Sequence, residues 1–168
     1  WTSVNETKCM AVDEGKKAAV FHFDRIYLKD ASFESPRCPQ VFSEPDYNPK
    51  VDIQLRISHQ VLDQERGVFE VVLKVTVTAT TSDQTAFLIE VQQAGMFTIT
   101  GLNPHQQERA LEATCPTALF PFAREHVNRL VTHGGFPSLL LQPINFDTMY
   151  EQKKASGDNG SASEGVAH

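Results

Sequence analysis

VFEVVLKVTVTAT (residues 68–80), TSDQ (81–84) and TAFLIEVQQAGMFTI (85–99) read together as one long β-hairpin. Phe69, Val71, Leu73, Val75 and Val77 take alternate positions in the first run, and Phe87, Ile89, Val91 and Phe97 do so in the second. A period of two puts each set on one face of a strand. The other face of the return strand carries Ala86, Leu88, Glu90, Gln92, Ala94 and Met96, which is partly apolar. Fully extended, residues 85–99 span roughly 45–50 Å. A domain of about 140 residues is only about 40 Å across. The strand must therefore bend, with Gly95 as the candidate hinge, or reach beyond its own core. A sheet with helices on one side and apolar residues on the other buries that second side in an oligomer.

Upstream, VFHFDRIYLKDASF (20–33) is rich in aromatic and β-branched residues and reads as a strand. Its parity changes, because Phe21 and Phe23 are odd whereas Ile26 and Leu28 are even. A bulge near Asp24 and Arg25 reconciles them. ESPRCPQVFSEPDYNP (34–49) holds four prolines. Each removes a backbone donor, so this is a loop. It carries Val41, Phe42 and Tyr47, apolar groups suited to the wall of a binding groove. VDIQLRI (51–57) alternates as a half-buried strand, and a polar turn is expected before residue 68.

Downstream the period becomes helical. Asn103 and Pro104 read as N-cap and N1 of a short helix, HQQERALEATC. Pro116 and Pro121 are expected to break the run. FAREHVNRLVTH (122–133) then forms a second helix, with Ala123, Val127, Leu130 and Val131 on one face and Gly134 at its end. FPSLLLQP (136–143) is an extended apolar connector, and Asn145 caps a C-terminal helix, FDTMYEQKK. Strands first and helices after mean an α+β fold, an antiparallel sheet with helices packed on one face. Residues 1–19 read as a flexible polar leader without the apolar core of a signal peptide, 20–154 as the folded domain, and 155–168 as a disordered Gly/Ser/Ala tail.

The chain has 168 residues and a formal charge of −6. Phosphate binding needs clustered Lys and Arg, so nucleic acid is not an expected partner. No apolar run is long enough to insert in a membrane. Cys9, Cys38 and Cys115 are odd in number and widely spaced, which argues against disulfides and zinc and for a reducing compartment. Cys115, just before Pro116, could be a nucleophile but is more simply a buried structural thiol. His126 and His133 could supply two metal ligands at most. Asp30 and Glu34 are about 13 Å apart on a strand, too far for a paired-carboxylate hydrolase. They read instead as an acidic edge or docking patch. No nucleotide-binding or hydrolase motif is present, so we expect no enzyme, metal or cofactor.

RIYLKDASFESP (25–36), FEVVLKVTVTA (69–79), AFLIEVQQAGMFTI (86–99), CPTALFPFARE (115–125) and GGFPSLLLQPINFD (134–147) together closely resemble, in order and spacing, the SecB protein-export chaperones. The resemblance covers about residues 20–150. It implies a SecB-like four-stranded antiparallel sheet with helices on one face, and a cytoplasmic homotetramer built as a dimer of dimers. It also implies a holdase that keeps unfolded precursor proteins translocation-competent and delivers them to the SecA ATPase. By resemblance, Asp30, Glu34, Leu88 and Glu90 would contact SecA. Phe87, Ile89, Val91 and Gln93 would lie at the oligomer interface, and Tyr47 would line the client groove, to which the aromatic loop and the apolar connector add Phe42, Phe136 and Phe146 as expected wall residues. Tyr47 stands where the family usually has Trp, Thr117 replaces the Asn of a CPN motif, and the tail holds only Asp158 and Glu164 where relatives are often strongly acidic. The competing readings are a SecB-like chaperone dedicated to one partner, such as a toxin–antitoxin pair, and a non-chaperone oligomeric adaptor.

Overall fold

The computed structural model describes residues 18–157. Residues 1–17 of the expected leader (1–19) and 158–168 of the expected tail (155–168) lie outside the described residues. Four strands, β1 (Val20–Glu34), β2 (Lys50–Asp63), β3 (Val68–Thr81) and β4 (Gln84–Thr100), form one antiparallel sheet in the order β1-β4-β3-β2. The hairpin β3–β4 is its centre. Strands β1 and β2 are edges, which is why their sequences are the more polar ones: solvent reaches them, and exposed apolar edges invite aggregation.

Odd-numbered residues of β3 and β4 form the covered face, with Val71, Leu73, Val75, Val77, Ile89, Val91 and Phe97 fully buried. Strand β4 runs through Gly95 without a register break. A Cβ at residue 95 would lie 2.7 Å from the Phe97 ring and 3.1 Å from Leu119, so Gly95 serves close approach rather than bending. The expected bulge in β1 appears as a register shift between Phe23 and Arg25, and a second shift follows between Leu28 and Asp30. Each slips the parity by one. Phe21, Phe23, Ile26, Leu28 and Phe33 thereby all fall opposite odd positions of β4.

Two boundaries differ from expectation. Strand β2 runs past Ile57 to Asp63 opposite β3, and the expected polar turn before residue 68 is confined to Gln64–Gly67. As an edge strand it can present His59 and Gln60 to water while its backbone pairs on one side. The prolines, likewise, do not end the helical run. Helix α1 (Pro104–Arg109) passes through a π-turn (Ala110–Thr114) into α2 (Cys115–His133), with Pro121 inside it. The wider turn precedes Pro116, where the ring needs room, and the Cys115 N–H reaches back to the Ala110 carbonyl. An internal proline costs about 3 kcal/mol. Burial of Leu119, Phe120, Ala123, Val127 and Val131 against the sheet offsets that cost at about 1.5–3 kcal/mol per large side chain.

Helix α1 has the expected cap: Asn103 Oδ1 accepts from the Gln106 N–H at 2.8 Å, and the Gln106 side chain accepts from the Asn103 N–H. Gly134 caps α2, and a Cβ there would lie 2.2 Å from the Phe33 ring. Helix α3 (Phe146–Ser156) begins at Asn145, whose side chain accepts from the Thr148 N–H at 3.1 Å. It runs through Ser156, two residues into the stretch expected to be tail, and Gly157 follows in the left-handed region. Three ion pairs tie it to the α1–π segment: Arg109–Asp147, Lys153–Glu112 and Lys154–Glu108.

Candidate functional site

The two sides of the sheet carry different chemistry. On the side away from the helices, Asp30 pairs with Gln92, Ser32 with Glu90 and Glu34 with Leu88. Directly paired residues of an antiparallel ladder project to the same side. The second bulge of β1 thus brings Asp30 and Glu34 onto one surface with Leu88 and Glu90. Asp30 and Glu34 are exposed, Leu88 and Glu90 half-buried. Glu90 also pairs with Lys74 Nζ on β3 at 2.9 Å. Farther along the same side, the buried Glu70 carboxylate accepts from the Tyr27 hydroxyl, from Lys29 Nζ at 2.9 Å and from Gln60 Nε2 at 2.6 Å. The Tyr27 hydrogen bond, then that of Lys29, holds Glu70 below the usual carboxylate range. Burial, with Glu70 beside it, pushes the Tyr27 phenol up to about 12. This network joins both edge strands to β3 and leaves no free charge there for chemistry.

The helix side carries an aromatic cluster centred on Phe136, which is 5% exposed. Its ring centroid lies 4.9 Å from Phe87, 5.1 Å from Phe42, 5.8 Å from Tyr47 and 6.2 Å from Phe33. Phe42 remains 53% exposed, so the cluster opens to solvent through it. From Phe136 the connector runs along β2 and closes a cavity of about 270 Å³. Val51, Ile53 and Leu55 form one wall; Leu139, Ile144 and Met149 form another. Leu140 in the same connector is 60% exposed. Aromatic cluster and aliphatic cavity share one connector and together offer mainly apolar surface, with the uncharged Gln142, Asn145, Thr148 and Gln152 also lining the cavity.

Of the residues expected in the groove, Phe42, Tyr47 and Phe136 come together. Phe146 does not join them. It is 1% exposed and packs edge-on against Phe120 at 5.8 Å, anchoring α3 to α2. The expectation that Phe146 lines the groove is corrected on that ground, because its ring is spent inside the core. Phe87, Ile89, Val91 and Gln93 are likewise on the helix-covered face and almost fully buried within this chain. Their side chains are not an exposed subunit surface, so any effect on assembly must pass through core packing. Gln93 Nε2 donates to the Tyr27 carbonyl at 2.9 Å, and its buried Oε1 has no partner among the described residues.

The β2 wall was missed by sequence reasoning. Its alternation marked Val51, Ile53 and Leu55 as half-buried, but nothing local distinguishes a groove wall from a core wall. Cys115 is buried, and desolvation pushes its thiol up to about 12, the opposite of an activated nucleophile. His126 and His133 lie on α2, and among the described residues no three metal-binding side chains converge. Among the described residues no helix is long and apolar enough to cross a membrane.

The family model for preprotein translocase subunit SecB matches residues 14–157. The protein-export protein SecB of Hahella chejuensis is 45% identical over 157 residues, covering 92% of this chain and 97% of the relative. That of Thioalkalivibrio sulfidiphilus is 46% identical over 144 residues, covering 86% and 84%. In fold, the chain is similar to the Mycobacterium tuberculosis Rv1957 SecB-like chaperone in complex with a ChAD peptide from the Rv1956 HigA1 antitoxin. That match has TM-score 0.63 and 17% identity, and covers 74% of this chain and 90% of that one. With the family model spanning the described fold and relatives above 40% identity matching over most of their length, the chain belongs to the SecB family of preprotein translocase subunits.

Proposed function

We propose that this export chaperone holds unfolded precursor segments in the groove formed by Phe42, Tyr47, Phe136 and the β2–connector cavity, and presents Asp30, Glu34, Leu88 and Glu90 to the SecA ATPase. The observation that carries the reading is the groove itself. It offers open apolar surface at Phe42 and Leu140, and the polar residues lining its cavity, Gln142, Asn145, Thr148 and Gln152, are all uncharged. Such a surface captures extended apolar chain with little sequence preference. The docking residues lie on the opposite side of the sheet, so client and SecA can be held at once. A homotetramer, a dimer of dimers in the cytoplasm, fits the apolar groups this chain leaves open: Phe23 and Leu28 on the helix side of β1, and Phe122 on α2. Among the described residues no strand lies beside the outer edge of β1.

The test is a refolding assay. A slowly folding precursor mixed with excess chaperone should regain its native signal late, and Phe42→Ala should shorten the delay. An undelayed refolding curve at saturating chaperone overturns the proposal. Light scattering should give four times the chain mass.

A further inference from the structure

The groove's aromatic wall is mounted on a loop, and the loop is held by a clasp. Val41 is buried and pegs the 3₁₀ turn Gln40–Ser43 to the core, whereas its neighbour Phe42 is largely exposed. Arg37 and Glu44 lie on either side of that turn and form an ion pair, with side chains 23% and 19% exposed. Both also bind Thr81, at the end of β3: Arg37 Nη1 donates to the Thr81 carbonyl at 3.3 Å, and Thr81 Oγ1 donates to Glu44 Oε2 at 3.2 Å. The Val41 N–H to the Arg37 carbonyl and the Glu44 N–H to the Val41 carbonyl close the turn from within. Ser35 Oγ donates to the Ala86 carbonyl at 2.7 Å and moors the start of the loop to β4. Glu44 is close enough to Tyr47 that, after burial, its charge helps raise the phenol.

We infer that Arg37, through Glu44 and Thr81, is the positioning residue that sets Phe42 and Tyr47 against Phe136, and so tunes the groove for aromatic client segments. This rests on the groove reading above. The physical ground is entropic. An exposed ring on a free loop must be ordered each time a client binds, which costs conformational entropy for every side chain immobilised. A half-buried, bidentate clasp onto a strand end makes that ordering in advance. The aliphatic cavity along β2 does not involve the loop, so it should be indifferent to the clasp.

The experiment uses the full chain and two unfolded peptides of equal length and charge, one carrying Phe and Tyr and one only Leu and Val. Arg37→Ala should weaken the aromatic peptide about five- to tenfold and leave the aliphatic one within twofold, with Arg37→Lys restoring part of the loss. Equal weakening of both peptides, or of neither, overturns the inference. A second readout is independent of clients. In a chain carrying Trp1→Phe and Phe42→Trp, the single tryptophan reports the loop by fluorescence anisotropy, which should fall on adding Arg37→Ala. Unchanged anisotropy sinks the clasp itself. A fall in anisotropy while Phe42→Ala leaves both affinities unchanged shows instead that the groove reading has failed, and the inferred role in client selection with it.

Discussion

Glu34 and Leu88 face each other across β1 and β4, at the end of the sheet where the proline loop begins. Their chain neighbours Phe33 and Phe87 stack on the opposite side, at 6.1 Å between ring centroids, and both reach Phe136. One pair of strand ends therefore serves both surfaces: the residues proposed for docking point one way and the rings proposed as the inner groove wall point the other.

Glu90→Gln or Asp30→Asn should weaken SecA binding up to about fivefold at low salt, the range of an exposed charge pair. The effect should shrink as salt screens it. Client capture should be unchanged, since the substituted groups lie on the other face. Titration of SecA at two ionic strengths checks this, and equal affinities for wild type and both variants would remove the acidic face as the docking site.

Phe42→Ala and Phe146→Ala should separate groove from core. Phe146 is buried, and its truncation should cost about 3–5 kcal/mol of stability. Phe42 is half open to water, so its loss should barely move the denaturation midpoint while reducing the refolding delay. If the two variants destabilise the chain alike, the assignment of Phe42 to the groove wall is wrong.

Glu70 should make the sheet acid-sensitive. Its folded pKa lies below its unfolded value, so the unfolded chain takes up the proton first. The carboxylate's contribution is complete above the unfolded pKa, near the ordinary value of 4.5, and is lost as pH falls through the depressed folded one. Glu70→Gln should cost about 1–3 kcal/mol at pH 7, the range for a hydrogen-bonded charge. It should also flatten stability below about pH 4.5. Urea midpoints at pH 7 and pH 3 measure it; a parallel acid loss in the variant would assign the sensitivity elsewhere.

The cysteines should differ sharply. Cys38 is exposed, and Cys115 is buried with its thiol pushed up to about 12. In a Cys9→Ser chain, a thiol reagent at pH 8 should consume one equivalent quickly and the second only on unfolding. Two fast equivalents would contradict the packing around Cys115.

Much of the architecture was legible because its causes are local. A strict two-residue period put Val71, Val75 and Val91 on one face of a hairpin, and Asn103–Pro104 and Asn145 announced helix starts through their own side-chain chemistry. The parity change between Phe23 and Ile26 predicted a bulge because a strand has only two faces. The second bulge has a similar trace in the change from even Leu28 to odd Phe33, but only pairing against β4 shows that it returns Asp30 and Glu34 to the side of Glu90.

What the sequence by itself determined is the hairpin, the order of strands before helices, and the apolar character of the loop and connector. Tertiary structure alone decided how that character is used. Pro121 stays inside a helix because buried neighbours outweigh its missing hydrogen bond. Phe136 and Phe146 are both buried, yet one packs beneath the exposed Phe42 and the other against Phe120 inside the core. Phe87 and Val91 lie beneath α2 rather than on an open face. Burial depends on what packs opposite, and that is set by residues far along the chain, where no local period can report it.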